Sequence, residues 1–217
     1  MKKSRRNKDV AAGMLGAFLL WTVAVRCVDV KAIGPLGSMV GFATVNRFVH
    51  DLTGVHMPLY ILTDWLSLIP LGFAIGFACL GMVQWIRRKH LLKVDRSILV
   101  LGGFYAVVIA VYALFETVVV NYRPVLIEGV LEASYPSSTT MFVVCVMQTA
   151  VLQLRFRMRN EVLKRIVTAA MTLFSALMVI GRLISGVHWI TDIIAGLLLS
   201  GSLMRMYRAT GDMDFKS

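Results

Sequence analysis

Residues 98–120 read ILVLGGFYAVVIAVYALFETVVV, an apolar run broken by one charge, Glu116. A helix rises 1.5 Å per residue, so about 20 apolar residues cross the hydrocarbon core of a bilayer. This stretch is long enough to span. Comparable runs occur at Val10–Val28, Leu59–Ile86, Pro136–Leu154, Ile166–Val187 and His188–Met206. The second of these exceeds the need, so it tilts or begins in the interface, with Pro70 as a candidate kink. The last two runs touch, and Ser185-Gly186 with its polar neighbours marks the break between them. Between the first two runs, Met39–Leu52 suggests a short interfacial helix.

Composition agrees with six spans. Of 217 residues, 58% are hydrophobic and 16% charged, and mean hydropathy is +0.74. Ordinary soluble domains carry about 25% charged residues. This balance excludes a soluble enzyme, a disordered chain and a disulfide scaffold. Cys27, Cys79 and Cys145 lie in or beside apolar runs without metal-type spacing and read as small core hydrophobes. The expected fold is an all-α, polytopic membrane helix bundle of six transmembrane helices, forming a single membrane domain over residues 1–217.

The net charge of +11 would suggest nucleic acid in a soluble protein. Its distribution says otherwise. Eighteen of the 23 Lys and Arg residues lie in the N-terminal tail, the 87–96 loop, the 155–165 loop and the C-terminal tail. The alternate connections hold only Arg26, Lys31, Arg47, Arg123 and Arg182. Basic residues concentrate on the cytoplasmic side of membrane proteins. Both termini are therefore expected inside, and the basic clusters are topology determinants, with no nucleic-acid partner. The basic start followed by an apolar run resembles a signal peptide, but no clean small-residue cleavage site follows, so the run is kept as a span.

Ionisable groups at membrane depth are costly and point to function. Asp64, Glu116, Arg182, His188 and Asp192 all fall near the outer ends of their runs. His188 and Asp192 are four residues apart and share a helix face. A carboxylate there fixes the imidazole tautomer and leaves the other nitrogen as nucleophile or base. A His–Asp pair that merely satisfies itself remains the alternative. Zinc needs three or four ligands, and no second histidine sits at ligand spacing, so no metal is expected. Pro136-Ser137-Ser138-Thr139-Thr140 reads as a helix start, either an ordinary cap or an anion seat. Arg123 and Arg182 supply donor forks suited to phosphate oxygens.

These residues resemble the type-2 phosphatidic acid phosphatase family, membrane lipid-phosphate phosphatases related to vanadium haloperoxidases. That family carries K-x6-R-P, P-S-G-H and S-R-x5-H-x3-D blocks. Here Gly181-Arg182, His188 and Asp192 keep the third spacing, with glycine for the leading serine. The first block ends in Arg123-Pro124, and the second begins Pro136-Ser137. The resemblance runs from about Glu116 to Ser200. It implies that His188 attacks phosphorus to form a phosphohistidine and that Asp192 orients it. Arg123, Arg182, Ser137 and the backbone around Ser138 would hold the phosphate, without cofactor or metal.

Two positions depart from the pattern. The family's second-block histidine, which protonates the leaving oxygen, is Thr139. Its first-block lysine is Glu116, which would repel phosphate or neutralise Arg123. Two functional expectations follow: a lipid phosphate or diphosphate phosphatase of impaired turnover, or a catalytically inactive lipid-phosphate-binding pseudophosphatase. An unrelated transporter fits less well, since transporters place polar sites near the midplane and often carry repeats. The partners expected are a polyprenyl diphosphate or phosphatidyl-type lipid and the surrounding membrane lipids. The expected location is a bacterial cytoplasmic membrane with the site facing outward. His50 and His56 are candidates for a substitute acid, and Asp64 is expected to pair with an outer arginine.

Overall fold

The computed structural model describes residues 2–210; Lys216 of the C-terminal basic cluster lies outside them, and the side chains of Lys2 and Lys3 are not described. The chain is helical almost throughout. Its helices are α1 (Lys2–Cys27), α2 (Ala43–Thr53), α3 (Met57–Leu66), α4 (Leu68–Arg88), α5 (Arg96–Thr117), α6 (Ser138–Arg157), α7 (Glu161–Ile184) and α8 (Ile190–Thr210). Six segments are long and apolar enough to cross a membrane, with α3 and α4 counting together as Met57–Arg88. The protein is a multi-pass membrane helix bundle.

The break between the two helices of the second span falls at Ser67, three residues before Pro70. Pro70 has no N–H to give to the carbonyl of Leu66, and its ring crowds that carbonyl, so the ladder breaks one turn upstream of the proline. The expected interfacial helix begins later than Met39. Met39–Val40 instead pairs antiparallel with Lys31–Ala32, and α2 starts at Ala43.

Helices α6 and α8 are the most buried and form the centre. α1 packs along α8: Ser202 Oγ donates to Ala11 O at 2.8 Å, and Trp21 Nε1 donates to Thr191 O at 3.1 Å. The remaining helices wrap this centre and turn Leu20, Trp65, Ile109 and Leu173 outward. In a bilayer that face meets lipid, so an apolar run need not be core. For the same reason only Cys145 is buried; Cys27 and Cys79 are exposed, which corrects their reading as core residues.

One end of the bundle is made rigid by close backbone contacts. Asn46 is fully buried and gives Nδ2 to Gly41 O (2.7 Å) and to Thr191 Oγ1 (3.0 Å), tying α2 to the start of α8. Gly41 lies directly against α1: a Cβ there would sit 1.5 Å from Val25 O. Gly41→Ala should therefore cost about 2–4 kcal/mol, in the range of strong backbone and packing defects. Gly16→Ala, where a Cβ meets nothing within 4 Å, should be neutral or gain up to about 1 kcal/mol of helix propensity. Thermal unfolding of the two variants in one detergent checks the contrast.

Candidate functional site

The ends of α5, α6, α7 and α8 that carry the polar residues meet at one end of the bundle, opposite the basic 87–96 and 155–165 connections. The 118–137 connection folds back on itself there. Arg123 N–H donates to Glu132 O (3.0 Å), Ser134 N–H donates to Asn121 O (3.0 Å), and the tip turns through Glu128 and Gly129, both at positive φ. Two residues with positive φ suit the tight turn of a hairpin. The strap delivers Asn121 and Arg123 over the mouth of the α6–α8 centre.

His188 lies in the short connection Ser185–Trp189 between α7 and α8. Gly186 (φ +71°) permits the turn, and a Cβ there would strike Gly54 O at 2.1 Å. The imidazole is buried, and its Nδ1 is 3.8 Å from Asp192 Oδ2. That is ion-pair distance, too long for a hydrogen bond. Asp192 is itself held: Oδ2 accepts from the Trp189 N–H (3.0 Å), and Oδ1 from Asn121 Nδ2 (3.4 Å). Neither ring nitrogen of His188 has a protein hydrogen-bond partner. Burial pushes this imidazole, which sits outside the two spans, down to about 4; the Arg123 and Arg182 charges act the same way, and Asp192 opposes them. At neutral pH the ring is uncharged and keeps a lone pair.

Arg182 is buried at the end of α7. Its Nη2 donates to Thr139 Oγ1 (2.6 Å) and Asp64 Oδ1 (3.1 Å), and Nη1 reaches Thr63 Oγ1 at 3.4 Å. Arg123 Nε lies 2.9 Å from Glu132 Oε2, without hydrogen-bond alignment. Both guanidiniums sit over the Tyr60 ring, with Cζ 4.8 Å (Arg182) and 5.8 Å (Arg123) from its centroid. Arg182 Nε and Arg123 Nε and Nη1 are buried without a hydrogen-bond partner. Buried donors are seldom left unmatched. Three such donors beside an uncharged imidazole are a candidate cradle for a multiply charged oxyanion.

The expected residues divide. His188, Asp192, Arg123, Arg182 and Thr139 converge. Ser137 is buried at the α6 N-cap, where Oγ accepts weakly from Thr140 N–H (3.5 Å), and its own N–H is committed to Asp192 O (3.0 Å). Ser138 and Glu116 sit to one side, lining a shallow depression with Tyr112 and Tyr135. The acid against Arg123 is thus Glu132, not Glu116. His50 packs edge-on to Trp189 (5.4 Å), and His56 turns Nε2 back to Thr53 O (2.9 Å). Asp64 pairs with an arginine as expected. Tyr60, Thr63 and Glu132 escaped the sequence reading; the one signal for the first two was that α3 begins on the same side as the site. Among the described residues, no group of three or more His, Cys, Asp or Glu side chains could hold a metal.

Residues 103–213 match the family model of the PAP2 superfamily. The fold is similar to the crystal structure of the first transmembrane PAP2 type phosphatidylglycerolphosphate phosphatase from Bacillus subtilis. The TM-score is 0.61 at 17% identity, covering 95% of this chain and 97% of that one. Comparison with curated proteins gives no match.

The Tyr60 platform makes a test of the cradle. A cation over a ring is worth about 0.5–2 kcal/mol. Tyr60→Leu should weaken binding of inorganic phosphate by about 2- to 30-fold, measured by calorimetry on the detergent-solubilised protein.

Proposed function

The chain belongs to the PAP2 superfamily, and from that premise we propose that it hydrolyses a lipid phosphate through a phosphohistidine on His188. One observation carries the reading: an uncharged, unpartnered imidazole is buried beside two guanidiniums that keep unpartnered donors. His188 attacks phosphorus in line. Arg123 and Arg182 hold the equatorial oxygens and the charge that develops on them, the main catalytic need in phosphoryl transfer. Asp192, fixed by Trp189 and Asn121, steadies the imidazole. The charge asymmetry of the connections supports an outward-facing site, and the short loops support a bacterial cytoplasmic membrane.

Thr139 decides the substrate class. Its hydroxyl accepts from Arg182 and is no acid near neutral pH. An alcohol leaving group needs a proton, whereas a phosphomonoester, with a second pKa near about 6, departs without one. The site therefore favours a lipid diphosphate over a lipid monophosphate. The same feature supports a second reading, a lipid-phosphate binder that does not turn over.

Phosphate release should be at least about 100-fold faster from a polyprenyl diphosphate than from phosphatidate, given that general acid help is typically worth 10²–10⁴-fold. His188→Ala should abolish it. Thr139→His should raise the monophosphate rate far more than the diphosphate rate. Binding without release from any of these lipids, in wild type and in Thr139→His alike, would favour the non-catalytic reading.

The acid limb of the first step gives a separate check. His188 is pushed down from 6.5 to about 4. The nucleophile should stay available as pH falls through 6 and be lost only toward about 4. Between these values the unfolded chain takes up the proton first, so this group withdraws stability as pH falls through that window. Rapid-quench measurement of phosphoenzyme formation against pH reads the first effect.

A further inference from the structure

The cradle has a nucleophile and oxyanion donors, and its second half-reaction needs a group to activate water. Two exposed carboxylates touch the arginines: Glu132 on Arg123 and Asp64 on Arg182. They are not equivalent. Asp64 Oδ1 and Thr139 Oγ1 are bonded to the same nitrogen, Arg182 Nη2, so they are close neighbours at the rim. Arg182 divides its donors: Nη2 holds Thr139 and Asp64, while Nε is left for the ligand. The Asp64 carboxylate therefore need not be displaced when phosphate enters. Its side chain is 61% exposed, against 3% for Arg182. The adjoining Trp65 is also exposed, and Trp marks the headgroup level, where water is abundant. Asp64 thus stays on Arg182 while most of its side chain faces outward, the position from which a carboxylate can meet an incoming water.

We infer that Asp64 is the general base of the hydrolytic half-reaction, an inference that rests on the phosphatase reading above. Water enters on the side the leaving group has vacated, which Thr139 borders. As its oxygen bonds to phosphorus, its proton passes to a carboxylate oxygen of Asp64. The bond between phosphorus and the His188 nitrogen breaks, and its electron pair returns to the imidazole. Inorganic phosphate departs, and Asp64 returns the proton to solvent. The first half-reaction needs no proton from Asp64 when the leaving group is a phosphate. One site thus lacks an acid yet keeps a base, and this asymmetry fits a phosphoanhydride substrate.

The experiment uses the full detergent-solubilised chain and farnesyl diphosphate labelled in its terminal phosphate. Wild type should turn over. Asp64→Asn should release one farnesyl monophosphate per protein in a burst and retain label on His188 that is acid-labile and alkali-stable. Its steady-state rate should fall by about 10²–10⁴-fold. Because Asp64 is exposed, formate should accelerate turnover of Asp64→Ala, a rescue that a merely structural role would not allow. Wild-type turnover in Asp64→Asn overturns the inference. So does loss of burst and turnover together without formate rescue, which would leave Asp64 only a support for Arg182. Absence of phosphate release by wild type overturns the phosphatase reading instead.

Discussion

Burying two guanidiniums over one aromatic ring is costly unless anions answer them. Arg123 and Arg182 share Tyr60, and among the described residues each reaches only one carboxylate, at the rim. The inner carboxylate, Asp192, is committed to Trp189 N–H and Asn121. Charge buried with incomplete pairing persists only when the scaffold holds it in place. The rest of this end of the protein can be read as that scaffold. A multiply charged oxyanion is a species that would relieve the imbalance.

The rigidity comes from short backbone approaches. Gly196 lets α8 press against α6, with Ser137 O and Thr140 at about the limit for a Cβ (3.1 Å). Ser137 N–H then reaches Asp192 O, so the start of α6 and the start of α8 are locked at the site. Gly186 meets the Gly54 carbonyl, bringing the turn between α2 and α3 onto the His188 connection. His56 N–H donates to Ser185 O at 3.0 Å and completes that seam. α3, with Tyr60, Thr63 and Asp64, is thereby registered against α7. A helix 118 residues away in sequence supplies Arg182 with its acid.

What the chain disclosed on its own followed from two strong constraints. Bilayer thickness made the spans readable as long apolar runs, and polar cost made Asp64, Glu116, Arg182, His188 and Asp192 conspicuous, with Arg123 in the connection beside them. Local spacing could not disclose pairings across helices. Glu116 looked like the partner of Arg123 because it is two turns away, yet the 118–137 strap folds back and brings Glu132 instead. Pro70 was a good marker for a break in the helix and a poor one for its position, because proline disrupts the turn before it. Hydrophobicity also could not separate a lipid-facing cysteine from a core one.

Two of the departures from the family's pattern, at 139 and 181, fall on one side of the site. Glycine at 181 removes a side chain, and Thr63 fills the space: a Cβ at 181 would sit 2.9 Å from Thr63 Cγ2. Thr63 also turns its hydroxyl toward Arg182, supplying from α3 an oxygen that the third block lacks. Thr139 is bonded to the same guanidinium, together with Asp64. These two positions thus share one contact set around Arg182 and α3, whereas Glu116 and Ser138 line a depression with Tyr112 and Tyr135, and His188 and Asp192 keep the pattern's spacing. The packing of α3 against 181 and 139 thus rebuilds the surroundings of Arg182, with the spacing of His188 and Asp192 left as it was.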